Sequence, residues 1–129
     1  MIKNLLLVSA GGIFGSCLRY AVSMSANNLV QRLFPFGTLL VNSLGGFMAG
    51  VVLGFSSCLW YTKNVQLFVL VGFLGAFTTF SAYNIETINL FFEGKAKLGL
   101  LNILLNNILS LVLVFLGFWL TKALFLKVD

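Results

Sequence analysis

Long apolar runs alternate with short polar interruptions along this chain, and the runs are too long for a soluble core. Residues 5–24, 37–61, 66–92 and 98–121 form four such runs, each at least the ~20 residues that a helix needs to cross ~30 Å of hydrocarbon. The pattern predicts an all-α membrane protein with four transmembrane helices, a single domain over residues 1–129. The connections are roughly a dozen residues or fewer, and they carry Arg32 with Pro35, then Lys63, then Lys95 and Lys97. No room is left between the runs for a soluble domain. The opening Met-Ile-Lys and LLLVSAGGIFG has the look of a signal peptide. It lacks a clear small-x-small cleavage site and continues into apolar sequence, so it reads as the first span.

Polarity inside the runs is uneven. The third holds GFLGAFTTFSAYNIE at residues 72–86, and an unpaired polar group facing lipid costs several kcal/mol. Gly72 and Gly75 followed by Thr78 and Thr79 weaken a helix, because Gly is the costliest ordinary residue there and Thr is a poor former. A break in the third helix is therefore expected. Non-helical backbone at that depth persists only when buried in protein, lining water or coordinating an ion. Phe80 and Tyr83 share a helical face, with Ala76 and Thr79 upstream and Ser81 and Asn84 near its edges. Two aromatics so spaced are most often core, but their polar neighbours favour a functional wall. Glu86 is a membrane-embedded carboxylate, either functional or simply paired with a hydroxyl or the interface.

The fourth run places Asn102, Asn106 and Ser110 on one stripe with Asn107 beside it. Such a stripe suits a water-facing pore wall and an interhelical hydrogen-bond seam equally well. Asn42 stands alone in the second run, four residues after Thr38. Gly46, Gly50 and Gly54, and likewise Gly11 and Gly15, have the spacing that lets helix backbones approach closely.

Composition sharpens this picture. The chain is 60% hydrophobic and 9% charged, with a mean hydropathy of +1.05, values of an integral membrane protein. There is no histidine, and the only acids are Glu86, Glu93 and Asp129. That inventory excludes metal-ligand clusters, paired-carboxylate catalysis and His-based triads, so no enzyme is expected. The formal charge of +5 comes from eight scattered Lys and Arg, with no basic run and no Gly-rich phosphate loop, which argues against nucleic-acid or nucleotide binding. Cys17 and Cys58 fall near opposite membrane faces, too far apart to bridge, and read as reduced core residues.

The charges barely choose an orientation. Lys3, Lys63, Lys122 and Lys127 lie on one side; Arg32, Lys95, Lys97 and, if counted, Arg19 lie on the other. Two readings follow: a chain that inserts in either direction and pairs with an inverted copy, or one orientation set by a small local bias. A wall of neutral donors and electropositive ring edges suits an anion, without singling one out.

Three segments together carry a family resemblance: GGIFGSCLRY in the first run, PFGTLLVN in the second and GFLGAFTTFSAYNIE in the third. The chain resembles the Fluc/CrcB family of small bacterial fluoride channels across all four spans. The resemblance implies an antiparallel, dual-topology homodimer in the bacterial inner (plasma) membrane. It has two interfacial pores, each passing fluoride passively out of the cytoplasm and so relieving toxicity. By the same resemblance Phe80 and Tyr83 contact the permeating ion, Asn42 lines the pore, and Ser81 and Ser110 belong to a polar track beside the rings. Asn84, Asn106 and Glu86, the third-span glutamate, are counted with that pore, and Arg19 with its vestibule. The Gly75 and Thr78 carbonyls of both subunits match a structural sodium ion.

The chain departs from the family pattern at Tyr83, where Phe is typical, at Asn84, where Ser is common, and at Val114, where some members have Thr. Tyr keeps the ring edge, so conduction is expected, while a heterodimer with a related chain, in which one pore has lost its lining, stays open. One rival is a proton-coupled small multidrug exporter, also four-span and dual-topology, which relies on a first-span carboxylate; here the acid inside a span is Glu86 in the third. A pore-inactive subunit is the other.

Overall fold

The computed structural model describes residues 1–29 and 33–125, so Arg32, Lys127 and Asp129 lie outside the described residues. It is all helical: α1 spans Ile2–Leu29, α2 Phe36–Gly54, α3 residues 63–77, α4 Phe80–Phe92 and α5 Ala96–Phe125. Four stretches are long and apolar enough to cross a bilayer, Ile2–Asn28, Phe36–Gly54, Lys63–Phe92 and Ala96–Phe125, the third running through α3 and α4. The chain is a multi-pass membrane protein.

Several boundaries differ from the pattern of apolar positions. The second helix ends at Gly54 instead of continuing to 61. Gly54, Ser56 and Ser57 are poor helix formers, and the chain turns there through three-residue hydrogen bonds: Ser56 N–H to the Leu53 carbonyl at 3.0 Å and Cys58 N–H to the Phe55 carbonyl at 2.9 Å. The first helix is longer than 5–24 at both ends, because nothing between Ile2 and Leu29 breaks it. The last reaches Phe125, past the expected 121.

Small residues set the packing. Gly46 and Gly50 of α2 sit on the backbone carbonyls of Ser110 and Val114 in α5, and Gly117 answers against Phe47; a Cβ at any of the three would collide with backbone. Gly11 and Gly15 of α1 lie in the same way on Phe68 and Phe73 of α3. These contacts bring backbones together as small-residue spacing does in membranes. Fully enclosed side chains are few, Val41, Phe77, Asn102 and Thr121 among them. Leu5, Ile13, Phe14, Phe92 and Trp119 face outward, as lipid-facing residues do. Cys17 is exposed on α1, not in the core, and Cys58 is half-buried in the turn after α2.

The turn from α4 to α5 is closed by Gly94, whose φ of 72° is the left-handed conformation that glycine adopts at low cost. The Lys95 N–H reaches the Leu90 carbonyl at 2.8 Å and the Gly94 N–H the Phe91 carbonyl at 3.0 Å, a Schellman arrangement that satisfies the last carbonyls of α4. It sets α4 and the first part of α5 side by side.

Candidate functional site

Between α3 and α4 two residues leave the helix. Thr78 has φ −79° and ψ 157°, and Thr79 has φ −147° and ψ 117°. Just before them, residues Gln66–Leu74 are π-helical, so the backbone is already loosened where the glycines lie.

Asn42 of α2 holds the extended pair. Its Oδ1 accepts from the Thr79 N–H at 2.8 Å, and its Nδ2 donates to the Thr79 carbonyl at 3.1 Å. One side-chain amide thus pairs with both backbone groups of Thr79, as a neighbouring strand would. In a continuous helix that Thr79 N–H would bond to the Gly75 carbonyl. Likewise the Ala82 N–H, the helical partner of the Thr78 carbonyl, bonds to the Thr79 Oγ1 at 3.3 Å, which caps α4. The Gly75 and Thr78 carbonyls are therefore deprived of their helical donors. Close approach makes this possible: Gly45 faces the Thr78 methyl and the Phe77 ring with no room for a Cβ.

From Asn42 a hydrogen-bonded chain crosses to α5. The Asn42 Nδ2 donates to Asn106 Oδ1 at 2.8 Å, Asn106 Nδ2 donates to Asn102 Oδ1 at 2.8 Å, and Asn102 Nδ2 donates to Thr87 Oγ1 at 2.9 Å. Thr87 Oγ1 then donates to the Tyr83 carbonyl at 2.8 Å. Asn102 is fully buried and Asn106 nearly so. Of the two readings of the fourth-span stripe, the interhelical seam describes Asn102. Asn106 belongs to the seam and also borders a groove.

That groove, about 380 Å³, is lined by Asn42, Gly75, Thr78, Thr79, Phe80, Tyr83, Asn106, Asn107 and Ser110, with Gly45, Gly46 and apolar residues of α2 and α3 at its margins. The Phe80 and Tyr83 ring centroids are 5.2 Å apart and tilted at 52°. Tyr83 is buried, whereas Phe80 is 70% exposed at the rim. The Tyr83 hydroxyl accepts from Asn107 Nδ2 at 3.2 Å. Ser110 Oγ is buried without a partner among the described residues.

Ser81, Arg19 and Glu86 lie elsewhere. They line a second cleft of about 380 Å³ together with Ser16, Ser23, Thr38 and Thr79. Thr79 borders both spaces. Glu86 Oε1 accepts from the buried Thr38 hydroxyl at 2.6 Å, and its Oε2 has no partner among the described residues. Asn84 is exposed and lines neither space. The structure thus gathers Phe80, Tyr83, Asn42, Asn106, Ser110, Gly75 and Thr78 in one place, puts Ser81, Arg19 and Glu86 in the next, and leaves Asn84 outside.

Sequence reasoning did not select Thr38, Thr79, Thr87 or Asn107 as site residues. Spacing carried a signal for two of them, since Thr38 and Asn42, and Tyr83 and Thr87, are i, i+4 pairs on one helical face. Nothing in the sequence indicated that Asn107 faces Tyr83.

A four-span helical membrane protein with a polar groove cut into its span region has the architecture of a small channel or carrier. Residues 6–118 match the family model described as CrcB-like protein, Camphor Resistance (CrcB). Curated relatives agree with it over nearly the full chain. The chain is 41% identical over 122 residues, covering 95% of it and 94% of the relative, to the fluoride-specific ion channel FluC of Parabacteroides distasonis. It is 42% identical over 114 residues, 88% of it and 92% of the relative, to the protein of that name from Shewanella frigidimarina. For the Dehalococcoides mccartyi protein of that name the identity is 43% over 123 residues, 94% of each chain. The chain belongs to the CrcB family.

Proposed function

We propose that this chain forms a passive, fluoride-selective channel that lets fluoride leave the cytoplasm across the bacterial inner membrane. The observation that carries this reading is full-length similarity to fluoride-specific ion channels at 41–43% identity. The groove supports it on chemical grounds. Two ring edges and the unpartnered Ser110 hydroxyl border it, neutral groups that favour a small anion through a hydrogen bond and ring quadrupoles without fixing a counter-charge.

The functional unit in this reading is an antiparallel homodimer. Ser81, Asn84, Asn107 and the Gly75 backbone are exposed on the single chain, within stretches otherwise built for lipid. Polar groups and unpaired backbone at that depth need protein or water against them, and an inverted second copy supplies both a cover and two equivalent pathways. Phe80, Tyr83, Asn42, Asn106 and Ser110 line each pathway, Ser81 and Glu86 adjoin it, and Arg19 attracts anions to its mouth. Asn84, outside both spaces of one chain, faces the partner. The break at Thr78–Thr79 serves a different end. A hard cation prefers oxygen ligands, and the Gly75 and Thr78 carbonyls, deprived of helical donors, are suitable ligands for a sodium ion shared by two copies. When bound, that ion ties the copies together.

Transport needs no other energy source. One charge is worth about 2.3 kcal/mol per 100 mV, and a negative interior expels fluoride. Liposomes loaded with fluoride and carrying the purified protein are expected to empty when valinomycin clamps the potential, while chloride-loaded ones retain their contents. Equal release of both anions would remove the selectivity claim.

A further inference from the structure

Asn107 and Tyr83 form a pair whose chemistry the pathway described above does not use. Asn107 Nδ2 donates to the Ile103 carbonyl at 2.7 Å and to the Tyr83 hydroxyl at 3.2 Å. The first bond fixes which end of the amide faces Tyr83: an oxygen there would oppose the Ile103 carbonyl. Both amide hydrogens are therefore spent, and the Tyr83 oxygen acts as an acceptor. The phenol keeps its own hydrogen, for which no acceptor lies within reach among the described residues. Tyr83 borders the groove together with Asn107 itself, and its ring is held by burial and by Phe80.

We infer that the Tyr83 hydroxyl is a hydrogen-bond donor to the anion in the groove, and that Asn107 is the residue that positions and polarises it. A hydroxyl that accepts one hydrogen bond donates the next more strongly. A phenylalanine offers only a ring edge at this position, whereas this tyrosine adds a directed O–H. The added donor favours a compact, strongly hydrogen-bonding anion over a large, diffuse one and holds it longer. The inference rests on the groove being the fluoride pathway.

The test measures initial fluoride efflux from liposomes over a range of internal fluoride for the wild type, Tyr83→Phe, Asn107→Ala and the double variant. Tyr83→Phe removes one oxygen and keeps the ring, so it tests the hydroxyl without disturbing the packing. Its half-saturating fluoride concentration is expected to rise about tenfold, as loss of one hydrogen bond to a charged group predicts. The maximal rate is expected to increase, because an ion held less firmly leaves sooner. Asn107→Ala is expected to raise half-saturation about threefold in the wild type and to leave the double variant at the value of Tyr83→Phe alone. Unchanged half-saturation in Tyr83→Phe, with wild-type flux intact, overturns the donor role and leaves the channel reading standing. An Asn107→Ala effect of equal size with Phe at position 83 overturns the positioning role. Absence of wild-type flux removes the channel reading and this inference with it.

Discussion

At the scale of the residue, Asn42 decides the most. Its two amide ends satisfy the Thr79 N–H and carbonyl, and its second hydrogen starts the seam through Asn106. Asn42→Ala leaves three polar partners unmatched within the span region, each costing about 1–3 kcal/mol. Lower thermal stability in detergent together with loss of fluoride efflux is the expected outcome. Asn42→Asp should be nearly as damaging, because a carboxylate accepts from the Thr79 N–H but opposes the Thr79 carbonyl and Asn106 Oδ1. Thr38 does comparable work for Glu86, giving it a 2.6 Å hydrogen bond. A buried hydrogen bond is worth about 0.5–1.5 kcal/mol, so Thr38→Val should lower the unfolding temperature and Thr38→Ser should restore most of it. A Val variant more stable than the Ser variant would show that the methyl of Thr38, not its hydroxyl, matters.

At the scale of the element, the sequence made some features plain and hid others. The four apolar runs were readable because their length is set by the bilayer and not by any particular neighbour. The glycine spacings were readable for a related reason: close backbone approach needs a missing side chain, and Gly46 and Gly50 lie on α5. The end of α2 was not, because Phe55 and the apolar residues after it continue the hydropathy of the helix while Gly54 and the serines turn the backbone. Nor did the sequence say what the asparagines pair with. A stripe at i, i+4 fixes a face but not the helix it meets, and only the placement of α2 against α5 makes Asn42 the partner of Asn106. The π-helical stretches in α3 and α5 have no residue signature of their own. Gly45 binds these elements together. Its α-carbon faces the Thr78 methyl and the Phe77 ring without space for a Cβ, so Gly45→Val must push Thr78 out of its extended position. Overpacking of this kind costs about 1–3 kcal/mol or more, and fluoride efflux is expected to fall with stability. Normal efflux from a stable Gly45→Val protein would mean that the position of Thr78 is unimportant.

At the scale of the whole molecule, the proposed assembly connects the freed carbonyls to stability. One chain offers the Gly75 and Thr78 carbonyls, too few for a hard cation that prefers several oxygens around it. In the proposed assembly, two antiparallel copies related by a two-fold axis would offer twice that number on that axis. A cation held there binds the paired state but not the separated chains, and so stabilises the pair by mass action. The unfolding temperature in detergent is therefore expected to rise with sodium concentration and to fall when sodium is replaced by N-methylglucamine, a cation too large for such a site. Loss of the cation should also shift the protein toward the mass of a single chain in light scattering. If stability and mass are identical in the two buffers, the carbonyls are occupied by some other donor. The polar face would then have to be covered by side-chain contacts between the copies alone.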